Sequence, residues 1–167
     1  MGITDASVVS QDALSLRNLL KELLARTIEV FEENNVPLPS RQYWTVGTPA
    51  VDCEQVVVAF QQIYLGPPGD QAGQPQRCTM PRSAVITISI SREVPTVGSN
   101  GRAPSGDKIQ EASEIAVVDA WVFMRLLNKI DQWEPGEFGL GVIATAESGG
   151  FDGGFQTTTM QLTMAVP

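Results

Sequence analysis

The chain has no histidine and only two cysteines among its 167 residues. Without an imidazole, Ser-His-Asp and Cys-His triads, histidine metal ligation and imidazole acid-base catalysis are excluded. Basic side chains are scarce as well, 11 Lys and Arg against 19 Asp and Glu, for a formal net charge of -8. Such a surface lacks the cations that displace counterions from duplex DNA or hold a protein on an anionic membrane. No apolar run approaches the roughly 18 residues of a membrane helix, and residues 1–11 show no basic patch followed by an apolar stretch. Neither an anchor nor an export signal is therefore expected.

The two cysteines offer little chemistry. Cys53 is set beside Asp52 and Glu54, whose charges disfavour the thiolate that a nucleophile needs. In the hairpin read below, Cys53 and Cys78 fall at opposite ends of a strand, which favours two free thiols and a reducing compartment. The long loop around Cys78 leaves a disulfide open.

What is present is a core. With 43% hydrophobic residues, a chain of this length buries roughly 68–70% of its unfolded surface without metal or disulfide support. Residues 1–11 read as a flexible tail, and residues 12–167 as a single domain. Asp12 to Asn34 has neither Gly nor Pro, and Leu16, Leu19, Leu20, Leu23, Leu24, Thr27, Ile28, Val30 and Phe31 share one helical stripe. The stripe is wide enough for a deeply seated core helix or for one that also meets a neighbouring subunit.

Glu54 to Leu65 predicts a strand apolar on both faces, and Ala84 to Arg92 one that alternates Ala and Ile with Thr and Ser. A Gly, Pro and Gln-rich loop of residues 66–81 joins them, well beyond the usual 4–6 residues. A second helix is expected from Lys108 to Ile130, capped by Ser105 or Asp107. Its core stripe reads as Ile109, Ala112, Ala116, Ala120, Phe123, Leu127 and Ile130, yet Ile115, Val118 and Val122 project elsewhere. A helix apolar nearly all round has to be sandwiched, between the sheet and the first helix or between the sheet and another chain. Leu140 to Glu147 and Phe155 to Val166 predict a closing hairpin through a turn of residues 148–154. The expected fold is α+β in αββαββ order, a mainly antiparallel four-stranded sheet with both helices on one face.

No motif of catalysis or cofactor binding survives inspection. The glycine loop before the second helix fails as a phosphate cradle, because Asp107 precedes Lys108 and Ile109 follows it where a Gly-Lys-Ser/Thr order is required. The acidic pairs Asp52/Glu54, Glu111/Glu114 and Glu134/Glu137 lack calcium-loop spacing. No catalytic residue, cofactor or metal is expected.

The aromatic residues are placed more tellingly. Phe151, with Asp152 and Phe155 beside it, reads as the tip of a glycine-rich turn, and Tyr43, Trp44 and Trp133 fall near element ends. They serve either as lids on the core or as anchors for a partner. With Val118 and Val122 of the second helix they form the candidate interface set.

Several stretches carry a family resemblance: Asp52-Cys53-Glu54-Gln55-Val56-Val57-Val58, Arg77-Cys78 followed by Met80-Pro81-Arg82-Ser83-Ala84, the helix around Asp119, and the hairpin Gly149-Gly150-Phe151-Asp152-Gly153-Gly154. Together with the element order, they resemble the tail terminator proteins of long-tailed phages, particularly those of actinobacteria. The resemblance implies a virion protein at the head-tail junction, assembled in the host cytoplasm. It implies a homohexameric ring that caps the tail tube, ends its polymerisation and meets the head-side connector. Its partners would be further copies of itself, the tail tube protein and the connector, with genome DNA passing through the lumen unbound. The family is structural and not enzymatic. The alternatives are another neck or tail component, such as a head-completion adaptor or tube subunit, and a small α+β enzyme or ligand-binding domain.

Overall fold

The computed structural model describes residues 9–69, 82–99, 101–130 and 142–166. Its elements are α1 (Val9–Glu33), β1 (Arg41–Val46), β2 (Gln55–Leu65), β3 (Arg82–Glu93), α2 (Gly106–Ile130), β4 (Val142–Asp152) and β5 (Phe155–Val166). The class is α+β, but the order is αβββαββ and the sheet has five strands, arranged β1-β2-β3-β5-β4. The expected four-stranded antiparallel sheet therefore needs correction. β1 adds a fifth strand parallel to β2, in register from Arg41 opposite Gln55 to Val46 opposite Phe60, while all other pairings are antiparallel.

The run Gln42-Tyr43-Trp44-Thr45-Val46 is rich in strand formers, and its edge position lets it stay short. β2 and β3 form the expected hairpin, with a register shift between Phe60 and Gln62. Val56 and Val58 of β2 face the helices, and Val57 and Ala59 are buried on the other face, as the two-sided apolar pattern requires.

Both helices cover the same face. α1 contacts β1 and β2, and α2 contacts β4 and β5. The core joins Leu19, Leu20, Leu23, Val30 and Phe31 of α1 to Val122, Phe123, Leu126 and Ile130 of α2 over the isoleucines of β3 and the alternating Met160, Leu162 and Met164 of β5. Phe31 and Phe123 meet edge to face, ring centroids 5.6 Å apart. Lys129 Nζ reaches Glu33 at 2.7 Å and Glu29 at 3.8 Å, and Arg125 Nη1 donates to Asn34 Oδ1 at 2.7 Å. These contacts tie the C-terminal end of α1 to the last two turns of α2.

The closing hairpin is longer than expected. β4 continues through Gly149 and Gly150, where its register against β5 shifts between Ser148 and Phe151, the mark of a bulge. The turn itself is Gly153-Gly154 between the paired Asp152 and Phe155, with φ of +57° and +87°. Positive φ at both central residues is what a two-residue hairpin turn demands. An alanine Cβ at Gly154 would also meet Thr96 Cγ2 at 3.2 Å. Gly154→Ala is expected to cost about 1–2 kcal/mol, lowering the melting temperature by roughly 2–4 °C per kcal/mol in a thermal scan.

Candidate functional site

The outer side of α2 departs furthest from an ordinary solvated helix. At 100° per residue, Ala116, Asp119, Val122, Phe123, Leu126 and Ile130 share the buried side. Opposite them, Val117 is 68% exposed, Trp121 65%, Met124 43% and Val118 44%. Val117, Trp121 and Met124 follow the i, i+4, i+7 spacing of a single stripe. An aromatic and two aliphatic side chains on adjoining turns form a contiguous apolar patch, the kind of surface that marks a contact site.

That face is held in place by an ion pair below it. Asp119, with only 2% of its side chain exposed, accepts from Arg92 Nε at 2.6 Å and Nη2 at 2.8 Å, and Arg92 Nη2 also donates to the Pro37 carbonyl at 2.8 Å. One guanidinium thus ties α2 to the end of β3 and to the connection after α1. Burial pushes the Asp119 carboxyl above its ordinary range, while the hydrogen bonds and charge of Arg92 pull it back. Beside the pair, a cleft of about 240 Å³ opens between α2 and the ends of β3 and β5, lined by Glu54, Lys108 and Glu111 among others.

The sheet face away from the helices has a different character. A groove of about 450 Å³ runs over Thr87, Thr145, Thr157, Thr159 and Gln161, bordered by Thr48, Pro49 and Val51 of the β1–β2 connection. Among the described residues lining it, Glu147 alone is charged. The wet face expected for β3 is only partly so: Thr87 is half-buried, but Ser89 and Ser91 are buried, and Ser91 and Thr157 share a hydroxyl hydrogen bond of 2.9 Å.

No protein-family model matches the chain, and no curated protein matches it. Its geometry must carry the functional reading. Among the described residues, no three His, Cys, Asp or Glu side chains come together in a way that could hold a metal ion. No helix among them is long and apolar enough to cross a membrane. Cys53 is a free, half-buried thiol that accepts a hydrogen bond from Arg41 Nη1 at 3.1 Å. Cys78 lies outside the described residues.

The interface set read from the sequence does not converge on one place. Val118 belongs to the exposed side of α2, but Val122 is only 2% exposed and packs in the core, which removes it from any contact surface. Ile109, read as core, is 39% exposed. Trp44 is half-buried against the core, and Tyr43 donates from its hydroxyl to Gln55 Oε1 at 3.2 Å beneath the Arg41 guanidinium. Both sit on the β1 edge of the sheet. Phe151 is a strand residue paired with Gln156, not a turn tip, and Asp152 and half-buried Phe155 flank the turn at the far edge. Trp133 lies outside the described residues. Trp121, Val117 and Met124 were missed, although their i, i+4, i+7 spacing was available as a signal.

Proposed function

We propose that this chain is a structural subunit of the phage head-tail junction, acting as a ring that caps the tail tube and ends its growth. The observation that carries the reading is the exposed apolar stripe of α2, too greasy for a surface meant to stay in water. Two further features support it. Among the described residues, the groove on the open sheet face is lined by hydroxyls and amides with a single carboxylate and no cation, a wall past which a polyanion slides without being gripped. The net charge of -8 works in the same direction. A closed ring requires one patch to meet a different patch on the next copy, and the asymmetric placement of exposed apolar residues on α2 and at the end of β2 (Ile63, Leu65) suits that demand.

The test is electron microscopy of lysates from phage lacking the protein. Overlong tails, or tails that never join heads, are the expected result; virions of normal form and tail length would refute the role.

A further inference from the structure

The sheet ends in two edges that carry no partner. Among the described residues, no strand lies beyond β1 on one side or beyond β4 on the other. Neither strand contains Pro or Lys, two residues that commonly blunt such edges. The bulge of β4 begins only after Ser148, so residues 142–148 present a regular edge. Gly47 N donates to the Phe60 carbonyl at 2.8 Å, which turns the main-chain groups of Tyr43 and Thr45 towards β2 by the alternation of a strand. Gln42, Trp44 and Val46 therefore aim their N–H and C=O groups out of the sheet. β4 runs opposite to β1 at the opposite edge, so its outward main-chain groups also belong to residues on the helix side of the sheet, Ala144 and Ala146, and by alternation to Val142.

We infer that the β1 edge of one copy pairs antiparallel with the β4 edge of the next, Arg41 level with Glu147 and Val46 level with Val142. This deepens the ring reading above and rests on it. β1 has six residues, and only two registers keep all of them within residues 142–148. The one that sets Arg41 level with Ser148 opposes helix-side residues to open-side residues along its whole length and is excluded. In the other, Gln42, Trp44 and Val46 meet Ala146, Ala144 and Val142, so outward N–H and C=O groups face each other at every second position. Trp44 and Ala144, both half-buried against the core on the helix side, then stand opposite each other, a large side chain beside a small one.

Charge agrees with the register without being needed to set it. Arg41 Nη1 is held by Asp52 and Cys53 of its own chain, and the exposed Glu147 adds a second carboxylate on the same side of the sheet. A second β1 offers Arg41 no acidic residue, which favours unlike edges over a pairing of β1 with β1. Pairing like edges is two-fold and stops at a dimer. Pairing β1 with β4 leaves one free edge of each kind on every assembly, so the contact propagates from copy to copy until the ring closes. The open faces of successive copies then form one wall, and the hydroxyl-lined groove continues across each seam through Thr45 and Thr145.

Disulfide trapping tests the seam, in a chain whose own cysteines are removed by Cys53→Ser and Cys78→Ser. Tyr43 and Thr145 fall at a pair that exchanges no hydrogen bonds, where Cα atoms stand about 4.5 Å apart, within the span of a disulfide. The chain carrying both Tyr43→Cys and Thr145→Cys is expected to oxidise into a ladder of dimers, trimers and higher species on a non-reducing gel, while either single variant stays uncross-linked. Ala144→Pro sets a ring into the seam at an N–H that points outward. It should weaken self-association by roughly tenfold or more in sedimentation velocity and leave the fold in place. If that variant melts earlier than the parent chain, the trapping result decides alone. The contact is overturned if the double variant forms no ladder, if a single variant cross-links to itself as a two-fold pairing of like edges requires, or if a folded Ala144→Pro chain associates like the parent. Failure of the tail role is read separately. Overlong tails without a trapped ladder overturn the seam alone, and a trapped ladder together with normal virions overturns the tail role alone.

Discussion

Arg92→Ala is expected to lower the unfolding free energy by about 3–5 kcal/mol, because it leaves the Asp119 carboxylate buried and unpaired. Urea denaturation at neutral pH measures the loss. Arg41→Ala is the control: its partner Asp52 is two-thirds exposed, and an exposed pair contributes about 0–1 kcal/mol. The Arg92 deficit should also depend on pH. Burial raises the folded carboxyl value of Asp119 above an unfolded value near 3.9. Its contribution is thus fully present below that unfolded value and is lost as pH rises through the folded one. Without the guanidinium the folded value climbs further, so the deficit is greatest at neutral pH and shrinks towards pH ~4, where the carboxyl is protonated and needs no cation. A deficit of equal size at pH ~4 and ~7 would show that Arg92 acts through packing alone.

Phe123→Ala should cost about 3–5 kcal/mol, since the ring is fully buried between α1 and the sheet and its removal leaves a cavity. Part of the loss belongs to the edge-to-face contact with Phe31. A double-mutant cycle with Phe31→Leu should return a coupling of about 0.5–1.5 kcal/mol. A coupling near zero would mean that the two rings contribute only through the area each buries.

These two sites also show what could and could not be read from the chain alone. The stripe of α1 was legible because its buried side is almost wholly aliphatic, and Leu19, Leu20, Leu23, Val30 and Phe31 all lie where helical periodicity puts them. The buried side of α2 was legible only in part: Ala116, Phe123 and Ile130 are buried as read, but Asp119 sits in the middle of that side and makes it look polar. Its partner Arg92 lies 27 residues away, on a strand end, and no local pattern links the two. With the buried side misplaced, Val122 was assigned to the surface, Ile109 to the core, and the stripe around Trp121 went unseen. β1 was missed because six residues pairing in parallel at a sheet edge leave little periodicity to detect. The glycines of the last hairpin were read as one long turn, whereas Gly149 and Gly150 belong to a bulge and Gly153 and Gly154 alone make the bend.

The order of strands in the sheet has a consequence for how the molecule is made. β5 follows every other strand in the chain, yet it occupies an interior slot, bonded to β3 on one side and β4 on the other. Until it leaves the ribosome, β3 exposes an unpaired edge whose inward face is almost entirely isoleucine, and β4 has no neighbour to pair with. The nascent protein therefore passes through a stage with a sticky open flank, when premature pairing with other chains competes with completion of the sheet.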